Sequence, residues 1–230
     1  RNGIRGCGLE QHLEAMLKAL VPSTHPARFT LGSVGHGDGP NAGFLRPESV
    51  LAIIHVTDED DCSVLGPSEL FNVGSDGSTF GSVGFNYRCA AFPEMLHPAS
   101  RYVDGLRALR PDAEGSIFYA VIAGVPPELT RGKHTIREML YDPRMQNVPN
   151  GELSELMTKP VPACSATRVV DAVYEEVKAA PARRLLEVAE AFGEHAVVAS
   201  ICEENFEGPV AAIAKRIGGV LACPEDPILY

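Results

Sequence analysis

No stretch of this chain approaches about 20 uninterrupted apolar residues, so nothing in it reads as a transmembrane helix. Basic residues are scarce, with 20 Lys and Arg against 30 Asp and Glu, a net charge of −10. That balance argues against nucleic-acid and anionic-membrane partners, which need clustered cations. The six cysteines, at 7, 62, 89, 164, 202 and 223, form no CxxC pair of the kind a zinc site usually shows. There is no GxSxG, no HExxH and no glycine-rich loop ending in GK[ST], so three common routes to catalysis are missing. The residues thus offer no persuasive nucleophile arrangement. Internal repeats and low-complexity tracts are absent as well, and residues 1–230 read as one domain.

What is present is a core. With 45% hydrophobic residues, 230 positions suffice to bury one. Apolar residues at Leu9, Leu13, Met16, Leu17 and Leu20 have helical spacing. The run from Val50 to Thr57 is short, continuous and β-branched, as in a parallel strand covered on both faces. "YVDGLRALRPD" reads as a helix and "SIFYAVIAGVPP" as a second buried strand, stopped by Gly124 and two prolines. The segment 128–164 carries little regular pattern and is expected to be an irregular surface insertion. "ARRLLEVAEAFG" is a helix closed by Gly193, "AVVASIC" a third strand, and Phe206, Val210, Ile213, Ala214 and Ile217 mark a last helix. Alternation of this kind predicts an α/β fold: a parallel, Rossmann-like sheet with helices on both faces. Three strands are few for such a sheet.

The chemistry concentrates in "LAIIHVTDEDDC", residues 51–62, where four consecutive acids follow a buried strand. Their repulsion costs free energy unless a cation or water takes up the charge. Ligands bind beyond the carboxyl ends of open parallel sheets, and Asp58 stands at such an end. Oxygen-rich clusters suit Mg²⁺ or Ca²⁺, at about 2.0 to 2.6 Å. The alternative is a solvated acidic loop that caps helix N-termini. His55 fits the strand pattern as a core histidine. The glycine-rich "GSVGHGDGPNAG" precedes a strand and reads as a flexible loop. A metal-assisted hydrolase on Asp58, Asp60 and His36 is the enzymatic alternative.

An even cysteine count without metal spacing favours three disulfides and an oxidising compartment. The other reading is a set of reduced core cysteines.

"GCGLEQHLEAMLKAL", "NAGFLRPESVLAIIHVTDEDDCS", "AVIAGVPP" and "SICEENFEGPVAAIAKRI" together resemble von Willebrand factor type A (vWA) domain proteins, of the secreted or lipoprotein type found in myxobacteria and related bacteria. The resemblance covers nearly the whole chain, in order. It implies a vWA-like fold and a metal-ion-dependent adhesion site. The metal ligands it implies are Asp58, with Asp60 and Glu10 as further candidates; Glu10 could equally be a first-turn helix acid. It also implies extracellular, cell-surface adhesion or protein binding linked to Mg²⁺ or Ca²⁺, with no catalytic turnover. A structural surface or filament subunit with a vestigial metal site is the alternative. The DxSxS motif that such a site needs occurs nowhere in the sequence. The resemblance therefore implies that the domain's N-terminal strands precede Arg1, and that a protein partner or another copy or segment of the protein supplies a neighbour for the strand 50–57. Cys62 with Cys89 is the favoured disulfide, because the two flank one loop on the same side of the sheet. Cys7, Cys164, Cys202 and Cys223 leave three possible arrangements.

Overall fold

The computed structural model describes residues 9–66, 70, 80–153, 158–170 and 173–221. In chain order the elements are α1 (His12–Leu20), β1 (Leu51–Val56), α2 (Arg88–Ala91), α3 (Ala99–Arg107), β2 (Ile117–Ala123), α4 (Pro127–Arg131) and α5 (Ile136–Tyr141). They continue with β3 (Cys164–Val170), β4 (Val173–Ala179), α6 (Arg183–Phe192), β5 (Ala196–Ser200) and α7 (Glu207–Leu221).

The protein is α/β. Strands β1, β2 and β5 form a parallel sheet in that order, with Leu51 opposite Ile117 and Tyr119 opposite Ala196. All seven residues of β2 are buried, as a central parallel strand requires. The two successive crossovers move across the sheet in the same direction, and right-handed crossovers then place α3 and α6 on the same face.

That face holds the main core. Leu13 and Leu17 of α1, Tyr102 and Leu106 of α3, and Leu185 and Phe192 of α6 pack on Ile53, Tyr119 and Val121. Their spacing of four or seven residues gives each helix one apolar stripe. The opposite face is thinner: Phe118, Ala120 and Ile122 are covered by Ile213 and Ile217 of α7.

Two expectations need correction. β1 is not covered on both faces: Leu51 and Ile53 are buried, while Ala52, Ile54 and Val56 are exposed. The cover from α7 reaches β2, and no described element extends it over β1. The segment 128–164, expected to be irregular, contains most of α4, all of α5 and a short 3₁₀ turn, with Leu129, Met139, Leu140 and Met145 buried. α5 starts with a capping box, Thr135 with Glu138, that satisfies its first N–H groups. The antiparallel hairpin β3–β4 is an element the strand pattern did not predict.

Two disulfides join Cys62 to Cys89 and Cys164 to Cys202, with Cα atoms 5.6 and 6.1 Å apart. The first ties the end of the acidic loop to α2, and the second ties the hairpin to the end of β5. Cys7 and Cys223 lie outside the described residues.

Candidate functional site

The carboxyl ends of the strands are bridged by backbone. Thr57 donates its N–H to Ile122 O, and Ala180 and Ala182 donate to Asp58 O and Gly124 O. The segment between β4 and α6 thus runs across the ends of β1 and β2. Gly124 makes that crossing possible, since a Cβ there would sit 1.8 Å from Ala180 O. A cavity of about 610 Å³ opens at this edge, between the acidic loop, the Cys62–Cys89 bridge and the start of α6.

The four acids have two different fates. Asp61 is 1% exposed and makes four hydrogen bonds. It accepts from Leu13 N–H at 2.9 Å, Ser63 N–H at 3.1 Å, Ser63 Oγ at 2.7 Å and Arg184 Nε at 3.1 Å. Ser63 Oγ also accepts from Glu14 N–H at 3.1 Å. The first turn of α1 is therefore capped by residues about 48 positions away in sequence. Its own N-cap residue, Gln11, makes no side-chain cap.

Asp60 does the same for α6, accepting from Arg184 N–H at 3.1 and 3.2 Å. The local N-cap there, Ala182, has no side chain able to do so. Burial, with Asp61 alongside, pushes the Asp60 carboxyl up to about 7, against the opposing pull of the Arg184 N–H. Asp60, expected beside Asp58 as a metal ligand, thus has its carboxylate on a helix N-terminus.

Asp58 and Glu59 are exposed and line the cavity together with Glu10. Burial, then the negative charges of Asp58 and Glu10, raise the Glu59 carboxyl above its ordinary range, and Lys159 partly offsets this. Glu10, Asp58 and Glu59 thus line one cavity, near enough for the first two charges to act on the Glu59 carboxyl. Among the described residues, no three His, Cys, Asp or Glu side chains are gathered closely enough to enclose a metal ion. The donor chemistry suits a hard cation, and the arrangement is open on the cavity side.

Beneath the loop lies a polar cluster inside the core. Thr57 Oγ1 and His12 Nε2 are 3.1 Å apart. His55 packs against Tyr119 with ring centroids 5.3 Å apart, and burial lowers its pKa to about 4. It behaves as a core histidine. Tyr119 Oη and His55 Nε2 are buried and have no hydrogen-bond partner among the described residues.

His36 is not part of this site. Its N–H donates to Lys18 O near the carboxyl end of α1, a nine-residue helix about 13 Å long whose other end meets the acids. The glycine-rich loop around it is packed against that helix end: a Cβ at Gly37 would lie 2.2 Å from Leu20 O.

Sequence reasoning missed Arg184, which donates to Asp61 and, at 2.6 Å, to His97 O. It also missed Lys159 and Lys178 at the cavity. A usable signal was present: two amphipathic helices begin without Ser, Thr, Asp or Asn at the N-cap, so their first N–H groups must find acceptors elsewhere.

Comparison with known protein families, with characterised proteins and with solved structures finds no match to this chain.

Proposed function

We propose that this chain is an extracellular protein-binding domain, resembling the carboxyl-terminal part of a vWA domain. It engages its partner at the carboxyl edge of the sheet through a divalent cation, Mg²⁺ or Ca²⁺. The observation that carries this reading is the grouping of Glu10, Asp58 and Glu59 on one open cavity, with the Glu59 carboxyl raised partly by the other two. Like charges held together in this way favour a cation between them. An open side leaves room for an oxygen from the partner to complete the ligand set. Asp58 would be the principal ligand, with Glu10 and Glu59 beside it. Asp60 and Asp61 would hold the loop in place. The two disulfides are compatible with an oxidising, extracellular setting.

A second reading keeps the fold and drops the metal: a structural surface subunit whose acids serve only the helices. The caps made by Asp60 and Asp61 favour it. Calorimetric titration with Ca²⁺ and Mg²⁺ separates the two. Binding that disappears in Asp58→Ala, with an unchanged circular dichroism spectrum, supports the cation-linked reading. No heat from either ion in the wild type leaves the structural one.

A further inference from the structure

Of the described asparagines, Asn41, Asn86, Asn147, Asn150 and Asn205, only Asn150 is followed by glycine. The pair sits where a short ribbon opens into a loop. Pro149 bridges Pro160 antiparallel, Asn150 N–H donates to Lys159 O at 2.8 Å, and Val161 N–H donates to Val148 O at 2.7 Å. Asn150 and Gly151 are both exposed and lie outside any helix or strand. Gly151 has φ +121°, a conformation that residues with a Cβ rarely adopt. Among the described residues, neither the Asn150 side-chain amide nor the Gly151 N–H has a hydrogen-bond partner.

These are the conditions for attack by a backbone nitrogen on the preceding side-chain amide. Gly151 N forms a bond to Asn150 Cγ, and the bond from Cγ to the amide nitrogen breaks. Ammonia leaves, and a five-membered succinimide remains. Water then opens the ring at either carbonyl, giving aspartate or isoaspartate and one new carboxylate. No oxidant or cofactor enters. Glycine favours the first step because no Cβ crowds the attacking nitrogen. Two described Asp–Gly pairs in the same chain, open to the same ring closure, show how a fold blocks it. Asp38 has its carboxylate on Ser23 N–H and Oγ, at 2.7 and 2.8 Å, and Gly39 N–H is bonded to His36 O. Asp104–Gly105 lies inside α3, with Gly105 buried. Asn150–Gly151 has neither protection.

We infer that Asn150 is a site of spontaneous deamidation, and that the carboxylate it yields pairs with Lys159. The register sets Lys159 directly opposite Asn150. Residues so placed share one face of a ribbon, with Cβ atoms about 4.5 to 5.5 Å apart, and opposite charges there attract. Lys159 also lines the cavity, where it partly offsets the rise that burial and the charges of Asp58 and Glu10 impose on the Glu59 carboxyl. A carboxylate at position 150 draws that ammonium away from Glu59. A slow chemical change in the loop thereby alters the charge balance of the cavity. This goes beyond the cation-linked reading and does not rest on it.

The folded chain, held warm at mildly alkaline pH and sampled over time, is read by peptide mapping in a mass spectrometer. Conversion at Asn150 should run at least tenfold faster than at any other described asparagine, with isoaspartate the main product. Asp38–Gly39 and Asp104–Gly105 should gain no isoaspartate in the folded protein and should gain it in urea, where their hydrogen bonds are lost. Asn150 intact after another described asparagine has converted would overturn the site. The pairing is read separately, by NMR titration of Glu59 in EDTA, so that its failure and failure of cation binding are distinguishable. Asn150→Asp should raise the Glu59 pKa, and the rise should shrink severalfold when Lys159→Met is also present. An equal rise in both backgrounds means repulsion without pairing, and no rise means no coupling; either result removes Lys159 from the proposal.

Discussion

Asp60 and Asp61 differ from Asp58 and Glu59 by one to three positions in sequence and by almost everything else in the fold. The inner pair is held by the N-termini of α6 and α1 and by Arg184. The outer pair is exposed on the cavity. A helix N-terminus carries roughly half a positive charge, concentrated on unpaired N–H groups. Two such ends, from helices that lack caps of their own, account for two of the four acids. A run of like charge is thus not one feature. Half of it is architecture, and the other half is what remains for recognition.

The sharpest way to break this comparison is Asp61→Ala. It leaves Leu13 N–H, the Ser63 groups and the Arg184 guanidinium without their shared acceptor inside the protein. Removing one partner of a buried ion pair costs about 3 to 5 kcal/mol. Urea unfolding should show a loss of that order. A loss below 1 kcal/mol would mean that the inner acids are as dispensable as the outer ones.

Next in size is the bridge that fixes the inner end of the loop. Cys62 follows Asp61 directly, and its bond to Cys89 closes 27 residues. Chain entropy alone gives about 3.5 kcal/mol for a loop of this length. Cys62→Ala with Cys89→Ala should lower stability by about 3 kcal/mol, measured by the same unfolding assay. Asp58→Ala in that background should add almost nothing.

Much of this architecture was legible in the sequence. Three strands, four of the helices and the edge position of the acids follow from apolar period and β-branching, which burial enforces directly. The inner pair's role was not, because Asp61 and Leu13 are 48 residues apart and only the fold brings them together. The hairpin was obscured for a related reason. Arg168, Glu175 and Glu176 put charge into both of its strands, and it lies outside the main core, so no continuous apolar run marks it. β1 misled in the opposite direction. Its sequence is that of a strand buried on both faces, yet Ile54 and Val56 are exposed.

Acidity offers a third test. The Asp60 carboxyl lies at about 7 in the folded protein, above the ordinary value of 3.8. The folded state therefore binds the extra proton between these values, and Asp60's contribution to stability is full below about pH 4 and declines as pH rises through 7. Each pKa unit is worth about 1.4 kcal/mol. The value of about 7 already includes the pull of the Arg184 N–H at the α6 N-terminus, so the whole shift contributes to the decline. His55 acts in the opposite sense. Its folded value of about 4 lies below 6.5, so stability is lost as pH falls from 6.5 toward 4. Denaturant midpoints from pH 4 to 8 for the wild type and Asp60→Asn should differ in slope, with the variant keeping only the His55 trend. Parallel curves would remove Asp60 from the buried set.

The smallest effect on stability belongs to the outer pair, and it carries the functional half of the comparison. Asp58 and Glu59 are exposed, and neither has a carboxylate fixed on a helix N-terminus. Surface substitutions of this kind change stability by about 0.5 kcal/mol or less. Because Asp58 and Glu10 both push the Glu59 carboxyl upward, Asp58→Ala should relieve repulsion and lower the Glu59 pKa toward its ordinary value, readable by carboxyl-resolved NMR titration. The same variant should lose cation binding in calorimetry. Stability unchanged with binding lost separates recognition from architecture within four residues. If Asp58→Ala instead destabilised the protein by as much as Asp61→Ala, all four acids would belong to the scaffold, and the cation would have no place at this edge.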